Sequence, residues 1–225
     1  MKQVTTEIRW FDNALAVEAW WSWFIAPCHR FPLEPPRKRT DCYLGPFLER
    51  DIGVKIRGRD RVMEIKTCED FRAGRLAQPP FNGSLARWSK WQFTAPRTFT
   101  GVPVQKYRMR RMFRCDDNGD LEVALQPRQF NGCMVEVTRA FVAGQAWITL
   151  GLEAFGDTLM QSASLQRTAT LLRAREPPSA AFKYGMGYPE WLTRLSLRTS
   201  PSCSSEALSV RCVRPSPIPG SDASR

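Results

Sequence analysis

Charged and apolar residues alternate in five short stretches of the chain. Glu7 and Arg9 flank Ile8, Lys55 and Arg57 interleave with Val54 and Ile56, and Glu64 and Lys66 with Met63 and Ile65. Lys106, Arg108 and Arg110 surround Tyr107 and Met109, and Glu136 and Thr138 surround Val137. A sixth stretch, Trp147-Ile-Thr-Leu-Gly-Leu-Glu153, ends with a glutamate on its polar side. A strand sends alternate side chains to opposite faces, so each stretch predicts a strand with one charged and one apolar face. By itself the pattern points first to an ordinary antiparallel sheet whose charges face water. It also fits a sheet closed with its charged face inward, a tunnel lined by both signs of charge and suited to a polyphosphate with a divalent metal.

Other segments follow different rules. Behind the N-cap side chains of Asp12 and Asn13, the residues Leu15, Ala19, Trp20, Trp23 and Phe24 recur at helical spacing and predict an amphipathic helix. Residues 27–40 carry too many prolines for regular structure, so the run Arg37-Lys-Arg39 is expected in a solvated loop. Residues 53–67 predict a hairpin turning at Gly58-Arg59-Asp60-Arg61, and 69–83 a linker or short helix. Strands at about 102–114, 121–127, 132–141 and 146–154 have the spacing of a meander, followed by a helix near 159–173. Beyond Thr199 the chain is Ser, Pro and Arg without apolar pattern, which divides it into a domain over 1–195 and a tail over 196–225 expected to be disordered.

Composition narrows the chemistry. At 225 residues and 43% hydrophobic content the chain can build one sizeable domain, and a formal charge of +11 favours an anionic partner. Seven cysteines without a close CxxC pair, and His29 as the single histidine, argue against a zinc site and against Ser-His-Asp or Cys-His catalysis. The greasiest segment, Ala14 to Ala26, is interrupted by Glu18 and too short to span a bilayer; a soluble, cytoplasmic protein without membrane association is expected. Arg87-Trp88-Ser-Lys90-Trp91 could stack a nucleobase, but tryptophans serve packing more often, and nucleic acid is the less favoured partner.

The order and polarity of the set resemble the CYTH superfamily of triphosphate tunnel proteins, in particular an uncharacterised bacterial branch. The likeness rests on Thr6-Glu-Ile-Arg-Trp-Phe11, the hairpin Val54 to Lys66, Lys106-Tyr-Arg-Met-Arg110, Val135-Glu-Val-Thr-Arg139, Leu150-Gly-Leu-Glu-Ala-Phe155 and Tyr188-Pro-Glu-Trp-Leu192. It implies a mainly β (α+β) fold, a closed antiparallel barrel of about eight strands with peripheral helices. It also implies phosphate-binding roles for Lys55, Arg57, Lys66, Lys106, Arg108 and Arg110, to which Arg9 on the first strand is added as an extra cation that favours the anion. Metal-binding roles for Mg²⁺ or Mn²⁺ fall to Glu7, Glu64, Glu122, Glu136 and Glu153, with Glu136 and Glu153 catalytic. The family's first strand carries Glu-x-Glu-x-Lys, whereas this chain reads Glu7-Ile-Arg9-Trp-Phe11, and one carboxylate of the pair is missing. The resulting expectation is a barrel that binds a triphosphate or polyphosphate and hydrolyses it if a metal can assemble. The alternatives are a noncatalytic polyanion- or nucleotide-binding module and an interaction protein with a solvent-facing charged sheet.

Overall fold

A computed structural model of the chain describes residues 2–13, 17–26, 35–44, 49–57, 62–95, 99–116, 119–178, 182–198 and 210–212. In chain order they form β1 (Gln3–Asn13), α1 (Val17–Ile25), β2 (Arg37–Tyr43), β3 (Ile52–Arg57), β4 (Val62–Gln78), β5 (Phe81–Thr94), β6 (Phe99–Asp116), β7 (Gly119–Val123), β8 (Gly132–Val142), β9 (Gln145–Phe155), α2 (Gln161–Arg173), β10 (Tyr184–Gly185), α3 (Tyr188–Arg198) and β11 (Val210–Cys212). Eight strands close into an antiparallel barrel in the order β1-β5-β4-β3-β2-β6-β8-β9, β9 returning to β1 through pairs such as Glu7 with Glu153. The fold is mainly β with peripheral helices. Among the described residues no helix is long and apolar enough to cross a membrane.

Two stretches expected to be irregular are strands. The prolines end at Pro36, and from Arg37 every backbone N–H is free to join a ladder; β2 lies between β3 and β6 with Asp41 opposite Arg57 and Arg39 opposite Lys106. Residues 69–78 continue β4, and with β5 they make a ribbon that outgrows the barrel. Register shifts between Cys68 and Gly74 break its alternation, which is why no strand is legible there. The ribbon folds against α2, where Leu76 and Leu85 are fully buried and the Gln166 side chain donates to the Arg75 carbonyl at 2.7 Å. His29, the Gly58–Arg61 turn and most of the tail lie outside the described residues; within the tail, Val210–Cys212 pair with Phe99–Gly101 of β6.

The outward faces of β1, β8 and β9 supply Ile8, Val135, Val137, Leu150 and Leu152, covered by Trp20, Trp23 and Phe24 of α1 and by Leu165, Ala169 and Leu172 of α2. Removing this apolar surface from water is the main drive for docking both helices. Polar pins fix their placement: Trp23 donates to the Arg175 carbonyl at 2.9 Å, Thr6 donates to Gln161 at 2.8 Å, and Gln161 donates to the Val4 carbonyl at 3.0 Å.

The inward face is layered along the strands. At one end Phe11, Tyr43, Val102, Val104, Val142 and Trp147 form an apolar layer with Trp191 and Leu192 of α3. Trp191 stacks on Phe11 with ring centroids 4.7 Å apart and meets Trp147 edge-on at 5.7 Å, so α3 caps that end. Pro189 in its first turn suits a helix start, and a side chain at Gly53 would come within 3.0 Å of the Pro189 ring. Farther along β6, β8 and β9, Met112, Met134 and Phe155 make a second apolar layer. The charged residues of these strands lie between the two.

Candidate functional site

Inside the barrel is a cavity of about 100 Å³. Among the described residues eight cations border it (Arg9, Arg39, Lys55, Arg57, Lys66, Lys90, Lys106 and Arg108), against four carboxylates (Glu7, Glu64, Glu136 and Glu153), with Tyr43, Trp88 and Tyr188 as its aromatic walls. The shared two-residue phase explains the assembly: each strand turns its charged side to the lumen and its apolar side to the helices or outer surface. A solvent-facing charged sheet is therefore not the arrangement these side chains adopt.

The charges are paired in five groups, one around each carboxylate. Glu64 on β4 takes Lys55 at 2.7 Å on one oxygen and Arg57 on the other, while Glu7 on β1 holds Lys66. Glu136 on β8 takes Arg108 at 3.1 Å and Arg9 at 3.3 Å. Asp41 on β2, fully buried behind the cavity wall, takes Arg39 at 2.7 Å and Lys106 at 3.0 Å, and Lys106 also donates to the Tyr43 hydroxyl at 2.7 Å. The Lys106 ammonium lies 3.7 Å from the Tyr188 ring centroid, a cation–π contact that α3 brings into the lumen. Glu153 on β9 takes Arg128 at 2.7 Å, with Lys90 at 3.8 Å. Counting Asp41 and Arg128 with the lining groups leaves the same excess of positive charge.

Burial and pairing compete at each group. Burial alone would raise the Glu136 carboxyl, but Arg108 and Arg9 outweigh it and hold it at about 2. Burial likewise works against Asp41, Glu64 and Glu153, and their cationic neighbours win, keeping all three ionised far below the ordinary carboxylate range. For the lysines burial prevails: it lowers Lys55 and Lys90, and takes Lys106 down to about 8 despite Asp41. Lys66 is the exception, since Glu7 and Glu153 overcome its burial and raise it.

The structure brings ten of the twelve sequence-nominated residues to this cavity and leaves two away from it. Glu122 on β7 faces outward under the helices: its two oxygens accept from Arg111 at 2.6 Å and Arg175 at 2.8 Å, and Arg111 also donates to the Phe24 carbonyl at the end of α1. The reason is register, because Glu122 stands opposite Phe113, which belongs to the outer core. Arg110 lies opposite Glu136 in register but does not border the cavity. Sequence reasoning missed Arg39, Asp41 and Tyr43 because their strand follows a proline run. It missed Tyr188 as a lining residue because it sits on a helix, although Trp88 and Lys90 carry the period-two signal.

The donor set does not suit Mg²⁺ or Mn²⁺. A hard divalent ion needs several oxygen ligands at once, yet each lumen carboxylate already neutralises one or more lysines or arginines. Among the described residues no three Asp, Glu, Cys or His side chains are grouped closely enough to hold a metal.

The structure is similar to that of the PH1819 protein from Pyrococcus horikoshii OT3, with a TM-score of 0.44 and 11% sequence identity, over 85% of this chain and 99% of that chain. No family model and no curated protein matches the chain.

Proposed function

We propose that the barrel is a binding module for a compact polyanion, a triphosphate or short polyphosphate, taken up in its lumen. The observation that carries this is the excess of cations over carboxylates on the wall of one cavity inside the barrel. Its room equals the liquid volume of roughly three waters, so a triphosphate enters by exchange. Its oxygens replace glutamate as the partner of Lys55, Arg57, Lys66 or Arg108, whose side chains swing toward it. Arginine suits this role because its planar fork binds phosphate oxygens two at a time. The resemblance to triphosphate tunnel proteins supports the same ligand class. Binding is favoured over hydrolysis because, among the described residues, no three Asp, Glu, Cys or His side chains are grouped closely enough to hold a metal.

The test is thermal unfolding of the full chain with tripolyphosphate, pyrophosphate or sulfate at low salt. A ligand at about a hundred times its Kd adds roughly 2.7 kcal/mol to the folded state. Tripolyphosphate is expected to raise Tm clearly and sulfate hardly at all. An unchanged Tm with every phosphate compound overturns the reading, and metal-dependent phosphate release in the same samples would add hydrolysis to it.

A further inference from the structure

Arg9, Gly151 and Glu136 stand in one row across three neighbouring strands, Gly151 being the register partner of both others. The Arg9 guanidinium uses the space that Gly151 leaves: a Cβ there would lie 2.5 Å from Arg9 Nη2 and 2.6 Å from Cζ. It donates to Thr149 at 2.8 Å, pairs with Glu136 Oε1 at 3.3 Å and lies 5.1 Å from the Tyr188 ring centroid. The other Glu136 oxygen accepts from Arg108 at 3.1 Å, and the Thr138 hydroxyl donates to Oε1 at 3.2 Å. Both oxygens of this carboxylate are therefore occupied, and a fixed positive charge is seated beside it.

We propose that Arg9 is a permanent cation of the lumen, seated against Gly151 where a metal on Glu136 would have to sit, so that the barrel holds its polyanion without Mg²⁺ or Mn²⁺. This rests on the polyanion reading above. A metal ion bound to a polyphosphate brings positive charge that can be removed by a chelator; a guanidinium clamped by Thr149 and Glu136 cannot be. Free Mg²⁺ also competes for the ligand in solution. Binding with metal is thus equal to or weaker than binding without it.

Calorimetric titration of the full chain with tripolyphosphate, in EDTA and in excess Mg²⁺, tests this together with two variants. Gly151→Ala keeps the Arg9 charge but evicts the guanidinium. The clash falls on the end of a flexible side chain and not on backbone, so the strand itself is kept. Arg9→Gln removes the charge and answers the same question should Gly151→Ala fold poorly. The wild type is expected to bind in EDTA at least as tightly as in Mg²⁺. Each variant is expected to bind about tenfold more weakly in EDTA, the loss of one charge-assisted contact. Wild-type binding that needs Mg²⁺ overturns the inference while leaving the polyanion reading intact. Variants that bind as tightly as wild type in EDTA also overturn it. Absence of binding in either buffer overturns the polyanion reading itself.

Discussion

Lys106 has only 3% of its surface in water and keeps its charge through Asp41, the Tyr43 hydroxyl and the face of Tyr188. Burial brings its ammonium from 10.5 down to about 8, so between about pH 8 and 10.5 the unfolded chain holds a proton that the folded chain has released. Stability contributed by this group therefore rises with pH across that window, while lumen charge falls. The affinity of wild type for tripolyphosphate is expected to drop as pH passes about 8, relative to Lys106→Met, which binds more weakly at pH 7 and shows only the ligand's own titration. Calorimetry from pH 7 to 9.5 checks this. Glu136 works in the opposite direction. Burial would raise its carboxyl, but Arg108 and Arg9 hold it at about 2 instead of 4.5. Its contribution, on the order of 3 kcal/mol, is fully present above about pH 4.5 and is lost as pH falls toward 2. Glu136→Gln should lower Tm at neutral pH and flatten the acid side of the stability profile, as acid-unfolding midpoints will show.

At the scale of the elements, Glu122 is a clamp between β7, β6 and the ends of α1 and α2. Glu122→Gln removes the carboxylate charge between Arg111 and Arg175 at the outer core and should cost about 3–5 kcal/mol, with the tripolyphosphate Kd unchanged. A loss of binding in a folded variant would place Glu122 in the site after all. On α3, Trp191→Ala removes the ring stacked on Phe11 and should cost about 3–5 kcal/mol, read from denaturant midpoints. The charged belt of β6 was legible because Lys106, Arg108 and Arg110 keep strict period two in a long strand, with Val102 and Val104 at one end and Met112 at the other sharing their phase. β2 was not legible: its outward residues include Lys38, whose ammonium lies 5.7 Å from the Tyr107 ring centroid, so neither face reads as apolar. The distal ribbon was hidden by its register shifts, and Tyr188 by belonging to a helix that period-two reasoning cannot see. Glu122 shows the limit of the signal, because charge in a strand does not say which face it takes.

The barrel as a whole concentrates positive charge inside a chain that already carries +11. Attraction for a multivalent anion then acts both at a distance from the barrel and in the lumen, so rising ionic strength should slow association and raise Kd together. Stopped-flow binding at 50 and 300 mM salt separates the two effects. The closure of the ring bears on how the chain reaches this state. Arg9 and Thr149, hydrogen-bonded across the β1–β9 seam, are 140 positions apart in sequence, and topologies dominated by such distant pairings fold in milliseconds to seconds rather than microseconds. During synthesis β1 can pair with β5 but keeps its other edge bare until β9 has left the ribosome, and an unpaired edge is a template for association with other chains. A nascent chain halted at Gly144, just short of β9, carries two such edges, on β1 and on β8. It is expected to aggregate where the full-length protein stays monodisperse in light scattering.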